Sequence, residues 1–283
     1  MGIDIHGLNF LRYTKKKKPL GDTITIGRQA LNVIGPMVKE LVGIKPSYKS
    51  HAYCEELLID YFGATRVESV DNSDYEKATH IHNMNEPLPK GLCEKFDTVI
   101  DGGCLEHVFN APQALKNCSL FCKPGGQILH ILPANNFCGH GFWQFSPELF
   151  FSLYSKANGY NETEVFLAEL SDTRRWFQVT QPTNGERVNV SSSTALYVLV
   201  RTVLQRTDFS HSDVQQSDYR YEWDKTRSCE PKPPAGRTGF KQKLREMPSV
   251  YEWLSPVYRL YSNSRRLDDR NPGLTMIRLK SCI

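Results

Sequence analysis

Apolar positions along this chain switch between a spacing of about two residues and one of about three to four, and the switches divide it into alternating strands and helices. Ile5, Leu8 and Leu11 lie at helical spacing within Asp4–Thr14 and predict a short amphipathic helix, followed by the solvated run Lys15–Lys18. Asp22–Gly27 is a β-branched run closed by glycine, which predicts a buried strand ending in a tight turn. Helical spacing then runs from Ala30 to Phe62, broken around Gly43–Pro46, with Glu55–Phe62 a separate helix stopped by Gly63. Arg66–Asp71 reads as a strand ending on a carboxylate, His80–Asn83 as a short strand, and Phe96–Asp101 as another. Pro112–Phe121 is helical, Lys123–Gly126 a turn, and Gln127–Leu132 a buried strand. Ser146 and Pro147 have the N-cap and first-turn chemistry of a helix running to Asn158–Gly159. Strands follow near Glu164–Ala168 and Thr194–Thr202, and the alternation predicts an α/β, doubly wound, mainly parallel sheet.

Beyond residue 204 the pattern changes. Thr207–Arg245 is polar and rich in proline and glycine, which predicts a linker, and Tyr251–Leu267 is an aromatic, basic stretch able to form one amphipathic helix. That helix would dock on its own domain or on a second copy, so a homo-oligomer is compatible with the sequence. The division expected is a domain over 1–204 and a basic extension over 205–283. Net charge is only +4, and the positive excess lies in the extension, so nucleic acid is not the expected partner of the whole molecule. Eight cysteines without a C-x-x-C pair read as reduced thiols, and no apolar stretch has the length of a transmembrane helix; a cytoplasmic location is the expectation.

The block FDTVIDGGCLEHVFNAPQALKNCSLFCKPGGQILHILP, Phe96–Pro133, resembles the second half of a class I S-adenosylmethionine-dependent methyltransferase. It combines a strand, the Leu105–Val108 segment, a helix, a Lys-Pro-Gly-Gly turn and a second strand near proline, in that family's order. The strings Thr25–Gln29, Ser69–Pro89 and Gly139–Phe151 are also similar to a bacterial-type subgroup, and the resemblance covers residues 3 to 204. It implies a Rossmann-like sheet of seven strands with the last antiparallel, S-adenosyl-L-methionine as cofactor, and methyl transfer to a small-molecule or glycan acceptor. One departure stands out: the family's glycine-rich loop is here Gly27-Arg28-Gln29-Ala30-Leu31, with a single glycine. That departure motivates the alternative of a degenerate, methyltransferase-like scaffold. A nicotinamide enzyme is disfavoured, because 44 positions separate Gly27 from Asp71, whereas a dinucleotide fingerprint wants about 20.

Candidate site residues follow from the strand ends, where open α/β sheets bind ligands. Asp71 is placed to accept the ribose hydroxyls or to cap its own turn; Asn83 and Met84 correspond to the adenine side. Asp101, Gly102 and Gly103 line the same edge, where glycine admits close backbone approach. Arg28 or Gln29 offers donors to the methionine carboxylate in place of the missing glycines. His140, in Gly139-His-Gly-Phe-Trp143, is the first candidate for a base near neutral pKa and His107 the second; each is otherwise a structural hydrogen-bonding histidine. Glu106 would cap the next helix or anchor the methionine amine. Phe142, Trp143 and Phe145 would wall the acceptor or pack in the core. Cys118 and Cys122, with His130 nearby, lack a second ligand pair, so no metal is expected.

Overall fold

The computed structural model describes residues 2–33, 35–43, 52–183, 185–188, 190, 192–206, 214–228, 266–267 and 273–279. The chain opens with strand β1 (Gly2–Ile3) and helix α1 (Ile5–Lys15), whose N-cap Asp4 accepts the Gly7 N–H. Strands β2 (Gly21–Ile26) and β3 (Ala30–Leu31) and helices α2 (Gly35–Val42) and α3 (Glu55–Phe62) follow. Gly63, at φ 74°, closes α3 in the left-handed conformation that glycine adopts without penalty. Strands β4 (Ala64–Asp71), β5 (His80–Ile81) and β6 (Phe96–Asp101) lead to helix α4 (Ala111–Phe121) and the long strand β7 (Cys122–Asn135). Helix α5 (Pro147–Leu153), strands β8 (Tyr160–Glu169), β9 (Arg175–Val179) and β10 (Leu196–Leu204), helix α6 (Ser217–Ser228) and strand β11 (Leu274–Arg278) complete the described elements.

Nine strands form one sheet in the order β11-β9-β8-β10-β7-β6-β2-β4-β5. From β5 to β7 every pairing is parallel; β10 then runs antiparallel to β7, and β8, β9 and β11 continue antiparallel. The expected seven strands are the run from β5 to β8, with β10 as the expected antiparallel strand. Residues alternate between two faces, as the pleat requires. On β7, Ile128 and Leu132 join a core with α4 and α5 residues such as Leu115 and Phe150. Leu129 and Ile131 join the opposite core, with Leu8 of α1 and Leu58 of α3. The chain leaves β2 toward β4 and β5, then returns on the other side of β2 to form β6. That reversal is the topological switch point, and its crevice lies beyond the carboxyl ends of the parallel strands.

Several elements differ from expectation. Ala30–Leu31 is a strand rather than the start of a helix, because it pairs in parallel with Gly2–Ile3 at the chain's beginning. Lys123–Gly126 lies inside β7 as a register shift against β6. The helix after Ser146 stops at Leu153, and Ser146 makes no side-chain cap; the Asn158 amide instead donates to the freed carbonyls of Ser152 and Leu153, at 3.2 and 2.9 Å. Neither β9 nor β11 was expected. Strand β11 belongs to the 205–283 stretch, and Leu267 from the same stretch is buried in the core, its N–H bonded to Glu169 Oε1 at 2.8 Å. Of the aromatic run Tyr251–Leu267, all but Arg266 and Leu267 lie outside the described residues.

Candidate functional site

Strand register brings the first group of expected residues together. Ile26 pairs with Val70 on one side and Asp101 on the other, so the next residues, Gly27, Asp71 and Gly102, form a row across three strand tips. Gly27, at φ 70°, donates its N–H to the Val70 carbonyl at 2.7 Å and turns the chain away from that row.

The Gln29 side chain occupies the space between the β2 and β6 tips. It is 1% exposed, and its Nε2 donates to the Ile26 carbonyl at 2.7 Å. A Cβ on Gly102 would stand 2.6 Å from Gln29 Oε1, so glycine at 102 is what admits the carboxamide. Gln29 Oε1 itself is buried without a hydrogen-bond partner. Arg28 turns elsewhere: its Nε donates to Glu55 Oε1 at 2.6 Å, its Nη1 to the Glu76 carbonyl at 2.9 Å, and its guanidinium lies over the Tyr53 ring.

Asp71 is half-buried, and its Oδ1 accepts the Asn72 N–H at 2.6 Å, the turn-capping role that stood as the alternative to the ribose. Asn83 is exposed and accepts both the Asn85 N–H and its side-chain amide, while Met84 is buried against the α4 core. Asp101 is fully buried. Its Oδ1 accepts the Cys104 N–H at 2.9 Å, which shapes the turn at Gly103 (φ 87°), and its Oδ2 meets His130 Nδ1 at 2.9 Å. The other nitrogen of His130 meets the Tyr154 hydroxyl at 2.6 Å. This Asp101–His130–Tyr154 chain braces β6, β7 and α5 from below the crevice. The sequence reading did not find it, although a histidine alternating onto the same face as apolar strand residues has to be hydrogen-bonded.

The second group converges past β6 and β7. Glu106 and His107 lie on the short 3-10 turn Leu105–His107, and His140 on the loop after β7. Glu106 Oε1 lies 3.4 Å from His140 Nε2 and 3.8 Å from His107 Nε2, and the two imidazoles meet edge to face at 4.9 Å. Phe142 N–H donates to the Glu106 carbonyl at 2.7 Å, fastening the loop to the turn. Gly141, at φ 72°, lets the chains approach, since a Cβ there would stand 2.7 Å from the Glu106 carbonyl oxygen. Glu106 does not cap α4, whose N-cap is Asn110. Burial, with the Asp101 charge second, lifts the Glu106 carboxyl to about 8. Burial lowers His107, reinforced by His140. Trp143 Nε1 donates to the Val108 carbonyl at 3.0 Å, Phe142 packs edge-on against Phe109, and both phenylalanine rings are exposed. Phe145 is core instead, as are Cys118 and Cys122.

No family model matches the chain, and no curated relative does. Several solved structures do. An N-methyltransferase from Bradyrhizobium japonicum is 13% identical, with 70% of this chain and 93% of that one covered and a TM-score of 0.37. The 1,6-didemethyltoxoflavin-N1-methyltransferase of Burkholderia thailandensis, solved with 1,6-didemethyltoxoflavin and S-adenosylhomocysteine, is 12% identical over 71% of this chain and 77% of its own, at a TM-score of 0.39. A mutein of the Thermus thermophilus branched-chain polyamine synthase, bound to N4-aminopropylspermidine and 5'-methylthioadenosine, is 14% identical at a TM-score of 0.39. That match covers 74% of this chain but only 59% of the synthase. Among the described residues no helix is long and apolar enough to cross a membrane. By its own strand order, parallel from β5 to β7 with the antiparallel β10 beyond, the chain has a Rossmann-like α/β fold, with the antiparallel strand that the resemblance implied.

Proposed function

We propose that this chain transfers a methyl group from S-adenosyl-L-methionine to a small-molecule acceptor, a class that takes in glycan intermediates. The observation that carries the reading is the row Gly27–Asp71–Gly102 at the switch point, bordered by a buried acceptor without a partner, Gln29 Oε1. An unpaired buried acceptor is costly, and a cofactor ammonium is a donor of the kind this oxygen lacks. Asp71 suits the ribose hydroxyls, with Asn83 on the adenine side and Gly103 turning the chain clear of the crevice. Asp101 and Met84, both buried, support this edge from beneath. Arg28, held by Glu55 and Glu76, stiffens the loop that carries Gln29. Bound adenosylmethionine would supply an electrophilic methyl group, whose transfer gains most from alignment of donor and acceptor. His107 and His140 address the acceptor from the neighbouring loops.

Calorimetry with adenosylmethionine and S-adenosylhomocysteine tests the reading. Saturable binding is expected, weakened about tenfold or more in Asp71→Ala through loss of charge-assisted hydrogen bonds. An absence of heat at millimolar ligand would overturn it. The second reading, a chain that keeps the fold without the cofactor, is favoured by Gln29 standing where the family's glycine loop leaves room.

A further inference from the structure

We propose that Glu106, His107 and His140 hold one divalent first-row transition-metal ion. One ligand atom from each, a carboxylate oxygen or an imidazole nitrogen, lies within 4.8 Å of the other two. A tetrahedral site with bonds of about 2.0 to 2.1 Å sets its ligand atoms about 3.3 Å apart. The Glu106 Oε1 separations of 3.4 Å to His140 Nε2 and 3.8 Å to His107 Nε2 are close to that spacing, so small side-chain rotations suffice.

A second observation points to a cation independently of the spacing. Glu106 is 2% exposed, and its Oε2 has no hydrogen-bond partner. Carboxylate oxygens that are buried normally have donors, and a cation compensates one that does not. The backbone also presents the three side chains as a unit. Phe142 and Trp143 N–H both donate to the Glu106 carbonyl, at 2.7 and 3.3 Å, and so hold the His140 loop against the turn that carries Glu106 and His107. The two histidines are about half exposed, which leaves the outer side of the cluster open for a fourth ligand, as in zinc sites that act on substrates. Two imidazoles and one carboxylate favour zinc, iron, cobalt or nickel over magnesium or calcium. The expectation of no metal weighed Cys118, Cys122 and His130; all three are buried, and His130 is taken up by Asp101 and Tyr154. Metal binding here does not depend on the methyl-transfer reading. Only the use of the open position, to hold an acceptor oxygen beside the cofactor crevice, rests on it.

The full chain, freed of metal with a chelator and then of chelator by dialysis, is titrated with Co2+ and followed by visible absorption, and with Zn2+ by calorimetry. No adenosyl ligand is present, so the outcome is separate from that of the cofactor experiment. One equivalent is expected to bind, with d–d absorption of a four- or five-coordinate site. His140→Ala, His107→Ala and Glu106→Gln are each expected to weaken binding by at least about tenfold. His80→Ala, at a histidine paired with Glu68, should keep the parent affinity. Circular dichroism checks that each variant folds, and the exposed histidines make their truncations the safest of the set. Absence of saturable absorption up to millimolar Co2+ overturns the proposal. So does parent-like affinity in a folded His107→Ala/His140→Ala double variant.

Discussion

Replacing Gly102 by Ala would place a methyl carbon 2.6 Å from Gln29 Oε1 and 3.0 Å from Gln29 Cδ. The carboxamide is 1% exposed and tied by Nε2 to the Ile26 carbonyl, so it cannot swing into solvent. Relieving the collision means breaking that bond or moving a strand tip, an overpacking cost of about 2 kcal/mol. Gln29→Ala alone loses the bond to Ile26 but also removes the unpaired Oε1, for a net cost of about 1 kcal/mol. In the double variant the methyl at 102 enters space that the carboxamide has left, so the cost should stay near that of Gln29→Ala, about 1 kcal/mol rather than the sum of about 3. Urea unfolding of the four proteins, compared at equal slope, measures the cycle. Additivity within about 0.5 kcal/mol would refute the reasoning, because it would mean that the two residues do not share the space between β2 and β6.

Glu106 predicts a pH dependence of stability in the metal-free chain. Its folded carboxyl titrates at about 8 against an ordinary 4.5, so the folded state keeps a proton that the unfolded state has released, and this group's contribution falls as pH rises through that window. Glu106→Gln should track the parent near pH 4.5 and gain on it toward pH 8, by at most about 5 kcal/mol; parallel stability curves in chelator would contradict the assignment. Asp101→Asn can keep one acceptor for the Cys104 N–H but sets an amide NH2 in place of the oxygen that faces His130 Nδ1, and is expected to cost about 2 to 4 kcal/mol in thermal or urea unfolding. A loss below about 0.5 kcal/mol, the range of surface changes, would show that the Asp101–His130–Tyr154 chain does not brace the sheet.

What the sequence determined by itself was several elements whose cause is local, though not α6, which lies in the stretch 207–245 expected as a linker. Glu55–Phe62 carries its own apolar face and a glycine stop, and Phe96–Asp101 is an apolar run between loops; both fall at the expected residues. Asp71 could be placed because it ends such a run. What depends on a distant partner was not legible. Ala30–Leu31 has helical spacing but becomes a strand because Gly2–Ile3 lies beside it, and β11 takes its hydrogen bonds from β9, nearly a hundred residues earlier, which itself lies between β8 and β11. The same holds at the site. Sequence put Asp101 at the crevice by its position on a strand end, but burial turned it inward to His130. It gave Arg28 and Gln29 a shared task, yet Glu55 claimed the arginine and the gap above Gly102 claimed the glutamine. Glu106, His107 and His140 were each visible as reactive side chains, whereas their meeting was decided by a glycine at 141 and two backbone hydrogen bonds. Periodicity records which face of its own element a residue occupies; only packing decides which residue from elsewhere will face it.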